Sequence, residues 1–181
     1  MAASSSAVLW PGRKRQVVVE SEVKGYHHFH VVPSEEIPLL VEWEPNNPYD
    51  PNAMIVRMPD SVEEKYLEVV TRPTRGSQPA QVVKDLLGLT VGRVPANLCG
   101  AFRDIMREQQ ATITCTYTGL AANTGTRRFH KGSGSGKDTP GQGATLSCLY
   151  RVQLPSESES VRAQVKRRLL ASGLKGSQIW D

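Results

Sequence analysis

Three histidines close together in the sequence, His27, His28 and His30, are the first candidates for metal chemistry. Imidazole is a frequent metal ligand, but a zinc site needs three or four ligands from His, Cys, Asp or Glu. On a strand, His28 and His30 would share one face while His27 faced the other. No carboxylate or cysteine partner stands beside them, so we expect surface or nucleic-acid contacts for these imidazoles and no metal or other cofactor.

A glycine-rich stretch, Gly132–Lys137, looks at first like a phosphate-binding loop. A nucleotide-binding loop of that kind requires a glycine where this chain has Lys131 and a Ser or Thr where it has Asp138. The flanking pattern also predicts a hairpin, and not a strand followed by a helix. We therefore expect no nucleotide site in this stretch.

Covalent catalysis finds no support in the sequence either. There is no Gly-x-Ser-x-Gly motif, and none of the three cysteines, Cys99, Cys115 and Cys148, has a histidine close in sequence. Their odd number and wide spacing also exclude a disulfide framework and a CxxC zinc half-site, which favours a reducing, intracellular setting. The sequence thus predicts a binding module and not an enzyme.

Length and charge are typical of a single domain without a membrane span. The 181 residues suit one core with flanking tails, and the net charge of +4 does not by itself indicate a polyanion partner. No run of about 18 apolar residues occurs, and the N-terminus lacks the features of a secretory signal. Residues 1–15 are predicted to be a flexible basic arm whose Arg13-Lys14-Arg15 would serve as a nuclear signal, a phosphate contact or a solubilising tail.

Short strands dominate the predicted secondary structure, because β-branched and aromatic residues recur in short runs between turn residues. The predicted strands cover residues 16–23, 26–32, 39–44, 53–58, 89–94, 111–117 and 145–154, and the first two of these segments would be two strands or one bent strand. Apolar residues at helical spacing predict helices over 98–109 and 161–171, the second ending at Gly173. The sequence therefore predicts a mainly β fold with two or more helices (α+β), arranged as an OB-like curled β-barrel.

Four segments fall outside this regular pattern. Residues 59–88 are predicted to be a surface insertion with short helices over 61–70 and 80–87, residues 121–144 a long flexible loop, and residues 177–181 a C-terminal tail. The prolines and asparagines of Pro45–Asn52 forbid regular pairing and force a shaped loop between two strands.

The segment Glu44–Val56 resembles the HIRAN domain, whose hallmark is an NPYD-x-NA turn that enters an apolar strand. Three further segments are similar to elements of the same family: Leu89–Pro95, Leu98–Met106 and Val161–Gly176. The resemblance covers most of the chain and predicts one HIRAN-like domain over residues 16–176, interrupted mainly after Met58. It implies a curled barrel related to the OB fold that captures the free 3′-hydroxyl end of single-stranded DNA.

The resemblance implies roles for two residues of the turn. Asp50 would accept the hydrogen bond of the terminal hydroxyl, which distinguishes a strand end from an internal stretch, and Tyr49 would stack a base. The alternative is a purely structural turn, in which Asp50 accepts backbone N–H groups as Asp commonly does.

Other positions depart from the family's pattern. His27-His28-Phe29 stands where the family's DNA binder has an arginine and two tyrosines, so the resemblance implies a weakened phosphate contact and a partial aromatic pair. Arg93 replaces a histidine that faces phosphate and would bond it bidentately, whereas Ala96 replaces a lysine. In the long loop, the residues expected to contact DNA are Arg127, Arg128 and Phe129, the last as a further stacking ring.

We therefore expect a nuclear binder of single-stranded DNA 3′ ends that serves DNA repair or replication-fork processing. Repair or replication proteins are candidate partners, and the sequence leaves open the oligomeric state and the preference for DNA over RNA. The alternative is a HIRAN-fold protein-interaction adaptor without DNA-end binding, which the changes at His27 and Ala96 favour. A third hypothesis, a hydrolase that uses the histidine cluster, would require a metal.

Overall fold

The computed structural model describes residues 15–72, 79–122 and 145–181. Within these ranges the strands are β1 (Gln16–Val23), β2 (Leu39–Trp43), β3 (Met54–Arg57), β4 (Val70–Arg72), β5 (Gln81–Val82), β6 (Thr90–Arg93), β7 (Thr112–Ala122), β8 (Thr145–Gln153) and β9 (Ile179–Trp180). The helices are α1 (Tyr26–Phe29), α2 (Ala96–Gln109) and α3 (Glu159–Ala171). Among these described strands, seven form one antiparallel sheet in the order β6-β3-β2-β7-β8-β1-β9, and β4 pairs with β5.

The sheet has one apolar face, which builds the core. Along β8, buried residues alternate with half-exposed ones, as the period of two along a strand requires. Phe102 of α2 meets the ring of Tyr150 edge to face, with centroids 5.1 Å apart, so the long helix covers this face. The α+β fold class predicted from the sequence is confirmed.

The sheet curls until its ends approach each other. Lys24, just after β1, bridges Arg93 on β6 through two backbone hydrogen bonds of 2.8 and 3.0 Å. This approach is possible because residue 92 is glycine: a Cβ at Gly92 would collide with Cγ1 of Val23 and lie 3.4 Å from the Lys24 carbonyl oxygen. The predicted curl of the sheet is therefore present, and it depends on this contact.

Both predicted long helices are confirmed. In α2 the buried residues are Leu98, Cys99, Phe102 and Ile105. The first turn of α3 is capped by Ser158, whose hydroxyl accepts the Val161 N–H at 3.4 Å, and Gly173 follows the helix with φ 97°. Arg168 of α3 pairs with Glu108 of α2 at 2.8 Å, which ties the two helices together.

The strand predicted over 26–32 is wrong. Tyr26–Phe29 forms a single helical turn, and His30 after it has a left-handed backbone with φ 53°. Gly25 makes the change of direction possible, since its φ of 92° is a conformation that favours glycine. The local preference of aromatic residues for strands is overridden here by the turn that follows the Lys24 bridge.

The segment 59–88 differs from its prediction as well. Each of the two predicted short helices is present only as a shorter 3-10 helix, Glu64–Tyr66 and Val83–Leu86, and the β4–β5 pair was not predicted. Val83 and Leu86 are buried and join the main core, so this segment contributes to the fold as well as to the surface. Residues 179–180, predicted as part of a tail, add β9 to the edge of β1.

No helix in the described ranges has both the length and the apolar character needed to cross a bilayer.

Gly92→Ala should lower the free energy of unfolding by about 1–3 kcal/mol, because the added methyl group must displace Val23 or break the Lys24 bridge. Urea unfolding of the two proteins measures the difference. Gly100→Ala is the matched control: nothing lies within 4 Å of its Cβ position inside α2, so alanine there should stabilise by about 0.5–1 kcal/mol. Equal stability of Gly92→Ala and the parent would contradict the role given to the contact.

Candidate nucleic-acid interface

The NPYD turn is an ordered loop that joins β2 to β3. The antiparallel pairing of the two strands ends at Trp43 opposite Met54, and the loop begins with the Glu44 N–H donating to the Ala53 carbonyl at 2.9 Å. Inside it, the Ala53 N–H donates to the Asp50 carbonyl at 3.0 Å. The loop is therefore closed at its base and again near its middle.

Asn47 is the centre of the loop. Its side-chain oxygen accepts the backbone N–H groups of Tyr49 at 2.9 Å and Asp50 at 3.1 Å. Its side-chain nitrogen donates to Glu44 Oε2 at 2.7 Å. One amide group thus fixes both the backbone of the two candidate binding residues and the base of the loop.

Asp50 uses one carboxylate oxygen for the loop and leaves the other open. Oδ1 accepts the Asn52 N–H at 2.8 Å, which is the capping role considered as the structural alternative. In the part of the chain that the structure describes, Oδ2 has no hydrogen-bond partner. Asn52 is itself fixed, because Arg103 of α2 donates a hydrogen bond to its side-chain oxygen. The carboxylate is therefore oriented by its cap and still has a free acceptor.

Two aromatic rings are exposed at this loop. The side chain of Tyr49 is 94% exposed, although its backbone is held by Asn47. Trp43, at the end of β2, is 47% exposed, and its indole N–H donates to the Pro51 carbonyl at 2.8 Å. Large exposed aromatics on a fixed backbone are suited to stacking against a flat ligand.

Arg93 connects the loop to the closure of the sheet. Its Nη1 lies 2.9 Å from Glu44 Oε2, the atom that also accepts from Asn47. The hydrogen bonds from Asn47 and Arg93 hold the pKa of Glu44 below its ordinary value, so this carboxylate is ionised at neutral pH. Since an arginine has five N–H donors, several remain for another anion.

Arg93 joins the loop to the start of α2: it ends β6 and bonds Glu44, and the Cys99 thiol of α2 lies 3.6 Å from the carbonyl oxygen of Val94, the next residue after β6. Burial raises the pKa of the Cys99 thiol, the carboxylate of Asp50 raises it further, and the guanidinium of Arg93 opposes the rise. Cys99 lies in the first turn of α2 and is buried. The loop, β6 and the start of α2 therefore meet at one place.

Helix α1 brings part of the predicted histidine and phenylalanine segment beside β6. His28 is exposed, and its ring meets Phe29 edge to face with centroids 4.9 Å apart. The Phe29 ring is partly buried against the core and lies 3.0 Å from the Cβ position of Gly25, so much of its surface is already covered. His27 belongs to the same helical turn.

The three loop candidates Arg127, Arg128 and Phe129 lie outside the described residues. In the described ranges, no group of three or more His, Cys, Asp and Glu side chains is placed to hold a metal ion.

Sequence reasoning missed four residues that shape the site: Trp43, Glu44, Asn47 and Arg103. An asparagine two residues before the tyrosine is a recognisable signal for a side-chain cap in a turn. A tryptophan at the end of a strand next to a loop is a weaker signal. The contacts of Glu44 with Arg93 and of Asn52 with Arg103 join residues far apart in sequence, so no local sequence pattern predicts them.

Fold and site together define a mainly antiparallel α+β domain that carries a preformed surface loop with exposed aromatic rings. Two solved structures are similar to it, and both are of the family that the sequence motifs resemble. The crystal structure of the HIRAN domain of human HLTF has 18% identity and a TM-score of 0.48, over 91% of this chain and 98% of that one. The NMR structure of the HLTF HIRAN domain in its DNA-bound conformation has 19% identity and a TM-score of 0.45, over 87% and 89%. No protein-family model and no curated protein sequence matches the chain.

Asn47→Ala should loosen the loop, because the N–H groups of Tyr49 and Asp50 lose their acceptor. We expect a loss of about 1–3 kcal/mol in the free energy of unfolding and faster hydrogen exchange at these two amides. Asn46→Ala is the neighbouring control, since Asn46 is exposed and makes no side-chain hydrogen bond within the described residues. Unchanged exchange at both amides in Asn47→Ala would show that Asn47 does not hold the loop.

Proposed function

We propose that this domain binds single-stranded nucleic acid and captures the 3′-hydroxyl end of DNA at the loop between β2 and β3. The observation that carries the proposal is that only one of the two carboxylate oxygens of Asp50 is bonded within the protein. One oxygen is fixed by the Asn52 N–H at 2.8 Å, and the other has no hydrogen-bond partner among the described residues, while the neighbouring residue, Tyr49, has an exposed ring. A terminal hydroxyl is a donor that an internal phosphodiester lacks, so an oriented acceptor of this kind selects ends.

Tyr49 would supply most of the stacking energy. A base stacked on an aromatic side chain contributes about 1–3 kcal/mol and does so for every base, since each has a flat π-face. Because the Tyr49 backbone is already held by Asn47, little ordering cost remains when the base arrives. This accounts for a ring that stands almost fully in water in the free protein.

Phosphate contacts would come from the basic side of the site. Arg93 offers the N–H donors that Glu44 does not use, and His28 lies on the helix beside the same strand. These groups are few, and Glu44 partly neutralises Arg93, so we expect phosphate contacts to contribute modestly to the binding free energy. The loop residues Arg127, Arg128 and Phe129 stay predicted contributors.

The motif resemblance also suggests a cellular location and a process. We infer a nuclear protein that acts in DNA repair or replication-fork processing, without catalysis of its own. Imaging of the tagged protein tests the location, and exclusion from the nucleus would contradict it.

Asp50→Asn separates end capture from loop structure. Asparagine keeps an oxygen for the Asn52 N–H but replaces the open acceptor by an NH₂ group, whereas Asp50→Ala removes both. Fluorescence anisotropy with single-stranded DNA bearing a free or a phosphorylated 3′ end measures the preference for the hydroxyl. The parent should prefer the free hydroxyl by about tenfold or more, and Asp50→Asn should lose that preference while remaining as stable as the parent.

Two outcomes would contradict the proposal. If Asp50→Asn keeps the preference, another group recognises the end. If the parent binds neither oligonucleotide, or binds both alike and Asp50→Ala changes nothing in a folded protein, end capture fails and a protein-interaction adaptor becomes the better account.

Arg93→Gln should reduce the salt dependence of binding. If Arg93 contacts one phosphate, the slope of log affinity against log salt should become shallower by about 0.7, the value for one contact with a single strand. Lys84→Gln is the control, because Lys84 pairs with Glu68 in the 59–88 segment and should leave the slope unchanged. Equal slopes in the parent and in Arg93→Gln would remove Arg93 from the phosphate contacts.

A further inference from the structure

We propose that Trp43 forms a second base-stacking subsite next to Tyr49 and Asp50, so that the site holds at least two nucleotides. This inference rests on the proposed function and adds to it a residue that the sequence motif does not include. Its ligand is a nucleobase of any identity, because stacking on an indole face does not read hydrogen-bonding edges.

The position of Trp43 in the sheet explains why its ring reaches the surface. Trp43 stands opposite Met54 in the antiparallel pairing of β2 and β3, and directly opposed residues point to the same face of a sheet. Met54 is buried in the core, so the Trp43 side chain starts from the inner face. Trp43 is, however, the last residue of β2, and 47% of it is exposed.

The indole is held by the same loop that carries the proposed end site. Its N–H donates to the Pro51 carbonyl at 2.8 Å, and Pro51 directly follows Asp50. This bond satisfies the one polar group of the ring and fixes the ring edge against the loop, yet 47% of the side chain stays exposed. The exposed part is therefore apolar ring surface in a fixed place.

Tyr49 and Trp43 present two separate aromatic rings at one loop. No contact between the two rings is present among the described aromatic pairs, so neither covers the other. Both are fixed to the loop whose backbone Asn47 and Asp50 organise. A single strand whose terminal hydroxyl lies at Asp50 would then present successive bases to the two rings, which is how aromatic side chains engage single strands generally.

Intrinsic fluorescence tests the subsite directly. The chain has three tryptophans, so Trp10→Phe with Trp180→Phe leaves Trp43 as the only tryptophan, and its emission is read with excitation that tyrosine does not absorb. Titration with a deoxythymidine oligomer of about ten nucleotides with a free 3′ end should quench this emission. The quenching should follow the same binding curve as anisotropy. A second protein that keeps only Trp180, which is 37% exposed on β9, is the control and should show no quenching.

Two substitutions separate stacking from loop anchoring. Trp43→Leu removes the aromatic face and should weaken binding by roughly 5- to 100-fold, the range expected for one stacked base. Trp43→Phe keeps an aromatic face but loses the N–H bond to Pro51, and it should weaken binding several-fold less. If Leu and Phe weaken binding equally, Trp43 acts through its hydrogen bond and the stacking subsite is wrong.

Oligomers with one abasic position, moved stepwise from the 3′ end, locate the stacked base. One position should abolish the quenching of Trp43, and at that position the abasic change should cost affinity in the parent but not in Trp43→Leu. Binding that depends on Tyr49 and Asp50 but leaves Trp43 emission unchanged would overturn this inference alone. Absence of binding by any oligomer would overturn the proposed function and this inference together.

Discussion

A single close approach organises this molecule: Val23 packs against Gly92 at a distance that no side chain at residue 92 would permit. Because of it, Lys24 and Arg93 exchange two backbone hydrogen bonds, and the end of β1 meets β6. The chain must then turn away, which it does through Gly25 and α1, so α1 lies beside the strand that carries Arg93. Through Glu44 the side chain of Arg93 also braces the loop between β2 and β3. The closure of the sheet and the geometry of the candidate site are thus one arrangement.

The loop shows how a proline- and asparagine-rich segment becomes an ordered candidate site. Several of its polar groups form hydrogen bonds within the protein. The Asn47 side chain bonds three partners and the Asp50 carboxylate one, while Arg103 bonds Asn52 and the Trp43 indole bonds Pro51. The exposed side chains of the loop region include the rings of Tyr49 and Trp43, and one Asp50 carboxylate oxygen has no hydrogen-bond partner among the described residues. A surface whose backbone is already ordered loses little conformational entropy when a ligand binds, which favours affinity from a small contact area. The ionised Glu44 partly neutralises Arg93, so the proposed function relies mainly on stacking and hydroxyl recognition and less on phosphate contacts.

Much of this could be predicted from residue patterns. Alternation identified the strands of the hairpins, and helical spacing identified α2 and α3, because those signals are local and repeat several times. The helical turn at Tyr26–Phe29 was wrongly predicted as a strand. Its own residues favour a strand, whereas the direction of the chain there is set by Gly25 and by the bridge from Lys24 to the distant Arg93. The burial of Val83 and Leu86 was not predicted either, because a short irregular segment shows no periodic pattern of apolar residues. In the loop, the motif pointed to Tyr49 and Asp50, whereas the braces Glu44–Arg93 and Asn52–Arg103 span 49 and 51 residues of sequence and follow only from the fold.

The proposed function places nucleic acid on the loop between β2 and β3. Amide chemical-shift mapping by NMR tests it most directly, with the labelled protein titrated by a short single-stranded DNA that has a free 3′ hydroxyl. We expect the largest shifts at the amides of Asn47, Tyr49, Asp50, Asn52 and Ala53 and at that of Arg93. Shifts that gather instead on α3 or on the β4–β5 pair, with the loop amides unmoved, would contradict it.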